Sequence, residues 1–256
     1  KGNNIDDLQK KQNASIYNIK PRYLNDNKEF NNQLTQHLTD TDVATMNPTP
    51  VGKNNVIGPS YTNTLITANE FTLLMHNLQQ KNIFNALFLS NSGMNDKQII
   101  QLSQQLKFAN QIHHLILSQN TITEFAAAAL RDLLKVNHHI GWLVLSKTDL
   151  MDNGLQIIAD GMTHNKGVKH LVLNSNQLTS TSIQDLVSKL NHHPMLESII
   201  LNHNQIDDEG AIALMSLISK LPKLVKIDLR NNPITPTVKA MLIKEAKHFP
   251  YFNLRL

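Results

Sequence analysis

One pattern returns every 28 residues between Phe84 and Ile234, six times in unbroken register. The copies read FNALFLSNSGM from Phe84, IHHLILSQNTI from Ile112, IGWLVLSKTDL from Ile140, VKHLVLNSNQL from Val168, LESIILNHNQI from Leu196 and LVKIDLRNNPI from Leu224. Apolar residues hold positions 1, 4, 6 and 11, and a small polar residue holds position 9. A unit this short cannot bury its apolar side alone and must stack on its neighbours, so the copies build one elongated solenoid. Such a body offers an extended curved surface rather than a cleft, and recognition is its first expected task.

Within a copy, strand alternation turns positions 4 and 6 inward, with position 1, and leaves 2, 3, 5, 7 and 8 on the strand face or its edge. Position 9 carries Ser92, Asn120, Thr148, Asn176, Asn204 and Asn232, side chains able to satisfy turn groups that would otherwise be buried unpaired. The Ser and Thr versions offer fewer bonds, which predicts looser first and third turns. Apolar residues at positions 16, 19 and 23, such as Ile183, Leu186 and Leu190, form one face of a 3.6-residue period and predict a convex-side helix in each copy. Thr123 and either Thr179 or Ser180 are its expected N-caps, and Gly154 and Gly210 are expected to loosen the backbone near helix starts. The Asn-His-His triplets at 137–139 and 191–193 fit left-handed helix caps on Asn.

The repeat domain is expected over 56–256: a degenerate copy at 56–83, six copies at 84–251 and a terminal strand at 249–256. Pro59 holds the central strand position of the degenerate copy and confines it to the N-terminal edge, since proline cannot donate to a ladder. Phe249, Phe252 and Leu254 fit positions 1, 4 and 6 of the last strand. Residues 1–55 do not repeat. There Phe30, Leu34 and Leu38 predict an amphipathic capping helix, Ser15–Ile19 an extended arm, and the polar first dozen residues disorder.

The chain has 256 residues and a formal charge of +4, an excess too small and scattered for a nucleic-acid interface. Cysteine is absent, which removes disulfides, thiolate nucleophiles and zinc-finger patterns. No apolar run approaches the roughly 18 residues of a membrane span, and no membrane partner is expected. Asn13-Ala14-Ser15 matches a glycosylation acceptor, a pattern close to background in so Asn-rich a chain.

The 28-residue period, the LxxLxLxxNxL core and the long second half resemble the ribonuclease-inhibitor class of leucine-rich repeats over residues 56–256. The resemblance implies an α/β horseshoe, with parallel strands on the concave face and helices on the convex face. It also implies protein binding through the concave face, in some members by covering an enzyme's active site. The inhibitor itself is Cys-rich, so only architecture and docking mode carry over. A compact, Cys-free, Asn- and Gln-rich version with a nonrepeating N-terminal segment is similar to effectors secreted by intracellular bacteria into the host cytoplasm; without that resemblance a cytoplasmic location is expected. The alternative is the ligand-sensing repeat domain of an innate-immune-type receptor, though the chain has no G-x-x-x-x-G-K-[ST] loop. Nucleic-acid binding ranks below both.

Two columns define the expected partner-binding face. Position 5 reads Phe88, Ile116, Val144, Val172 and Ile200 before Asp228, with Asn253 next, an outward apolar stripe that ends at the sixth strand. Position 3 sets Trp142, the sole Trp, between His114 and His170, with Lys226 further on. Lys147 and Arg230 add charge toward the later repeats. β-branched strand propensity explains the stripe as readily as binding does, but an aromatic anchor at the centre of a face favours an interface. His114 and His170 stand two strands apart, so neither they nor a Ser118 or Ser146 dyad with His114 makes a catalytic or metal constellation. The expectation is a non-enzymatic monomer with no cofactor, binding another protein, an enzyme among the candidates.

Overall fold

The computed structural model describes residues 23–24, 58–80 and 85–256. Seven parallel strands form one open sheet in chain order: β3 (Ala86–Phe88), β4 (His114–Ile116), β5 (Trp142–Val144), β6 (His170–Val172), β7 (Ser198–Ile200), β8 (Lys226–Asp228) and β9 (Asn253–Arg255). Between them run α2 (Asp96–Leu106), α3 (Glu124–Leu134), α4 (Met151–Met162), α5 (Ser180–Lys189), α6 (Asp208–Met215) and α7 (Pro236–Ala246). From β3 to β8 each residue pairs with the one 28 positions later, as an unbroken period requires. The fold is an α/β leucine-rich-repeat solenoid.

The degenerate copy keeps its helix, α1 (Ala68–Gln79), opened by a capping box between Thr67 and Glu70 and burying Phe71, Leu74 and Leu78. Its strand differs. A short β2 (Gly58–Pro59) pairs antiparallel with β1 (Tyr23–Leu24), and contact with the main sheet is a bridge from Ser60 to Phe88. Proline keeps β2 out of the seven-stranded ladder, so β3 is that ladder's edge. Gly58 permits the close approach, because a Cβ there would run into the Ala86 carbonyl. The expected helix on Phe30, Leu34 and Leu38, and the arm at Ser15–Ile19, lie outside the described residues.

The last strand is shifted from expectation by two residues. Leu254 pairs with Ile227 and Arg255 with Asp228, so Leu254 and Leu256 take positions 4 and 6, while Asn253 falls beside Lys226 in column 3. Phe249 and Phe252 pack against the core from the side. One apolar core, from Tyr61 to Leu242, fills the space between sheet and helices with Leu115, Leu143, Leu171 and Ile199 on its strand side.

The position-9 ladder has the expected role and an unexpected polarity. Asn120 Nδ2 donates to its own Leu117 carbonyl at 2.9 Å and back to Leu89 of the preceding copy at 2.7 Å, while Oδ1 accepts from Ser92 and Met94 N–H. Asn176, Asn204 and Asn232 reach back likewise to Leu145, Leu173 and Leu201. Each amide therefore finishes the turn before its own, so the Ser92 and Thr148 turns are completed by Asn120 and Asn176 rather than left loose. Where Ser or Thr stands, its backbone carbonyl substitutes, accepting from Ile66 and Ile122. Position 8 is left-handed in every copy, φ 48° to 57° from Asn91 to Asn231.

A second ladder replaces the expected helix caps. Asn137 is not left-handed: its buried amide donates to Leu106 carbonyl at 2.7 Å and accepts from His139 and Ile140 N–H. Asn165 repeats this one copy later, and His193 occupies the next rung, while His192 takes the positive φ, 70°. The pattern was hidden because only two copies carry Asn there. Thr123 and Thr179 are the N-caps. Gly154 and Gly210 lie inside α4 and α6 and are buried. A Cβ at Gly154 would sit 2.6 Å from Leu150, and one at Gly210 would meet Ser180, so these glycines serve close packing rather than loosening.

Candidate functional site

Alternation places Phe88, Ile116, Val144, Val172 and Ile200 in one column on the concave side, register by register, with Asp228 next. Beside them His114, Trp142, His170, Ser198 and Lys226 form the second column. The expected outward stripe is present in register but is not exposed. Phe88, Val144, Val172 and Ile200 are 0% accessible, and Trp142 is 4%. With Ala86 and Ile116 these side chains form a second apolar cluster, separated from the main core by the sheet. Strand alternation fixes which side a residue faces; it does not determine what lies above it.

Trp142 is held by its column neighbours. The His170 ring packs at 3.8 Å between centroids, tilted 32°, and His114 lies 6.2 Å away on the other side at 23°. His170 Nδ1 shares a hydrogen bond of 2.9 Å with Ser198 Oγ. Burial pushes the His114 imidazole down to about 4, with His113 adding to the effect, and pushes His170 down to about 3, with Lys169, His114 and Lys226 adding charge repulsion. Both rings are therefore neutral at pH 7, and the Glu197 carboxylate 3.7 Å from His170 Nε2 is a polar contact rather than an ion pair. A cavity of about 200 Å³ opens at the head of these strands, lined by His113, His114, His139, Trp142, Lys169 and His170.

Toward the C-terminal end the face turns ionic. Asp228, fully buried, takes a two-pronged hydrogen bond from Arg230 Nε at 3.0 Å and Nη2 at 2.6 Å, the fork geometry that suits guanidinium to carboxylate. Lys226 is also buried. Lys147 lies elsewhere: it is the exposed left-handed turn residue, φ 53°, past the end of β5, and does not join the cluster. Sequence reasoning overlooked Ser198 as the partner of His170 and Arg255 as the neighbour of Asp228, the latter because the last strand was counted in another register.

Ser118 Oγ accepts from Ser146 N–H, and Ser146 Oγ donates to Asn174 at 2.5 Å, so both serines are turn elements rather than a dyad with His114. Among the described residues no three metal-ligating side chains converge, and no helix is long and apolar enough to cross a membrane.

Period, ladder and topology together define a leucine-rich-repeat fold. In agreement, a Leucine Rich repeat family profile matches residues 192–215, the stretch from the turn before β7 through α6. No curated protein matches the chain. Among solved structures 75 chains match. One is "Leiomodin-1 Actin-Binding Site 2 (ABS2)", 12% identical, covering 68% of this chain and 87% of that one at a TM-score of 0.38, a likeness that bears on neither partner nor activity.

Proposed function

We propose that the chain is a non-enzymatic protein-binding module that captures one partner on its concave face. The observation that carries this reading is the central cluster: a sole Trp stacked between two neutral imidazoles, set in a contiguous apolar column and bordered by the Asp228–Arg230 pair and Lys226. Apolar centre, aromatic anchor and charged border are the anatomy of an interface. Capture of this kind acts by covering surface, and an enzyme's active-site rim is the partner surface we favour. The biological setting we propose is that of an effector secreted by an intracellular bacterium, working in host cytoplasm as a monomer; the Asn- and Gln-rich, Cys-free composition supports it.

The test is affinity capture with the full chain, followed by variants against the partner so found. Trp142→Ala should weaken binding by about 2 kcal/mol or more, scored against the folded fraction. The exposed Lys220→Glu, following α6, should leave it unchanged. A partner indifferent to Trp142 and to Arg230, yet sensitive to helix-side changes, would overturn concave capture.

A further inference from the structure

Position 2 of the repeat, just ahead of each strand, reads Asn85, His113, Gly141, Lys169, Glu197 and Val225. The fold does not demand the glycine. Gly141 takes no positive φ, and an added Cβ would meet only ordinary contacts, the His113 carbonyl at 3.8 Å and the Lys169 side chain at 3.9 Å. Gly167 beside it is different, because a Cβ there would run into the His138 carbonyl. A glycine at a strand is destabilising and often marks close approach of a backbone or of a ligand; at Gly141 no backbone comes close. The space it leaves opens into the cavity of about 200 Å³ at the head of β4, β5 and β6, which Gly141 lines with Trp142, Lys166, Lys169 and Met195.

The charge of this cavity is one-sided. Two lysines line it, and no carboxylate does among the described residues. Lys166 is exposed and has no ion pair among those residues. Lys169 has Glu197 at 3.7 Å, past hydrogen-bonding distance, so its ammonium donors remain available. Lys166 N–H donates to His138 Nδ1 at 3.4 Å, which leaves the proton of a neutral His138 ring on Nε2 as a further donor. Backbone donors, by contrast, are spent. Gly141 and Trp142 N–H both go to the His113 carbonyl, Lys169 and His170 N–H both go to the Gly141 carbonyl, and Gly167 N–H goes to Asn165 Oδ1. Phosphate cradles are built from converging backbone N–H groups, so this rim suits a smaller anion held by side chains. Trp142 has His114 and His170 against its faces and turns to the cavity the edge of its ring, the positive part of an aromatic quadrupole. Size narrows the ligand further. An apolar cavity of about 150 Å³ takes up benzene, so about 200 Å³ holds one ring with a charged substituent. We propose that the cavity binds a small organic carboxylate of single-ring size, its carboxylate held by Lys166 and Lys169 and its ring in the place of the side chain missing at Gly141, beside Trp142 and Met195. The site does not rest on the capture reading.

Sodium benzoate is the probe, titrated into the full chain at constant ionic strength. Calorimetry should show one saturable site, and the emission of Trp142, the sole Trp, should change over the same range. Benzyl alcohol, which keeps the ring without the charge, and inorganic phosphate, which keeps charge without a ring, should each bind many-fold more weakly. Lys166→Ala, at an exposed side chain, should weaken benzoate several-fold, as should Lys169→Ala. Gly141→Leu should abolish binding with the thermal midpoint at or above the parent's, since the added side chain enters open space. If leucine lowers the midpoint, Gly141→Ala decides, with affinity reduced several-fold in a chain as stable as the parent. Absence of saturable binding would overturn the proposal. Benzyl alcohol bound as tightly as benzoate would remove the anion from it, and phosphate bound as tightly would remove the organic body; either refutes it. A folded Gly141 variant that keeps the parent's affinity refutes it too, by placing benzoate elsewhere. No partner protein enters these measurements, so their failure leaves the capture reading standing.

Discussion

Asn176 serves two turns at once, and this sets what its loss should cost. Its Nδ2 donates to Leu145 and Leu173 carbonyls at 2.6 and 3.1 Å, and its Oδ1 accepts from Thr148 and Leu150 N–H. Asn176→Ala orphans buried backbone groups in adjacent copies, so a loss near 3 kcal/mol is expected. Thr148→Ala removes a hydroxyl whose acceptor, the Leu145 carbonyl, keeps its bond from Asn176, and should cost about 1 kcal/mol. Urea unfolding of both variants measures the difference; equal midpoints would show that the amide is not shared between copies. Trp142 needs a revised expectation. Taken as outward-facing it should be dispensable for folding, but it is packed in a cluster, so Trp142→Ala should cost about 3 to 5 kcal/mol, and binding assays need thermal melts beside them.

At the scale of elements, Gly161 of α4 packs directly against the backbone of α3. A Cβ there would lie 2.7 Å from Arg131 carbonyl oxygen and 3.0 Å from the Leu134 Cβ. Alanine gains about 1 kcal/mol of helix propensity over glycine but forces backbone apart, an overpacking cost of about 1 to 3 kcal/mol. Gly161→Ala should therefore be net destabilising in guanidinium titration, and a stabilised variant would mean the helices separate freely. The positions of strands and helices were legible because 28 residues of spacing carry register without error from β3 to β8. The last strand was not, for a physical reason: Phe249, Phe252 and Leu254 satisfy the 1, 4, 6 spacing as well as Tyr251, Leu254 and Leu256 do, and pattern cannot choose between them. The candidate face was legible as two columns containing His114, Trp142 and Val144. Its burial was not, since accessibility depends on whatever lies over a face.

For the whole molecule, the buried imidazoles make stability depend on pH. His114, His170 and His193 are held neutral, at about 4, 3 and 4, by burial before any other cause. Unfolding releases them to an ordinary value near 6.5, so between 6.5 and 4 the unfolded chain binds more protons than the native one. Their contribution is complete above pH 6.5 and falls as pH drops through that value. At pH 5 the loss should be on the order of 2 kcal/mol for each. Asp152 and Asp207 also titrate below their usual range. Burial opposes the shift at Asp152, where bonds from Ser182 and Thr179 win, and at Asp207 the bond from Ser180 leads. These carboxylates lose stability only near and below pH 4, which leaves the interval from 7.5 to 5 to the histidines. Urea midpoints unchanged across that interval would show that the rings are hydrated. Deleting 1–55 removes β1, should leave the edge of β2 unpaired and cause self-association, read by light scattering; a monomeric, equally stable product would deny that pairing any shielding role.

The backward reach of the position-9 amides also gives the solenoid a direction in time. The Leu89 carbonyl and the Ser92 and Met94 N–H of one copy take the Asn120 amide of the next, and the Leu145 carbonyl with the Thr148 and Leu150 N–H takes that of Asn176. A chain emerging from the ribosome with its N-terminus first can therefore make the bonds within each of these turns but cannot complete the turn until one more repeat has been made. At about 5 to 20 residues per second, a repeat of 28 residues takes roughly 1.4 to 6 seconds, and throughout synthesis the newest turn is always the unfinished one.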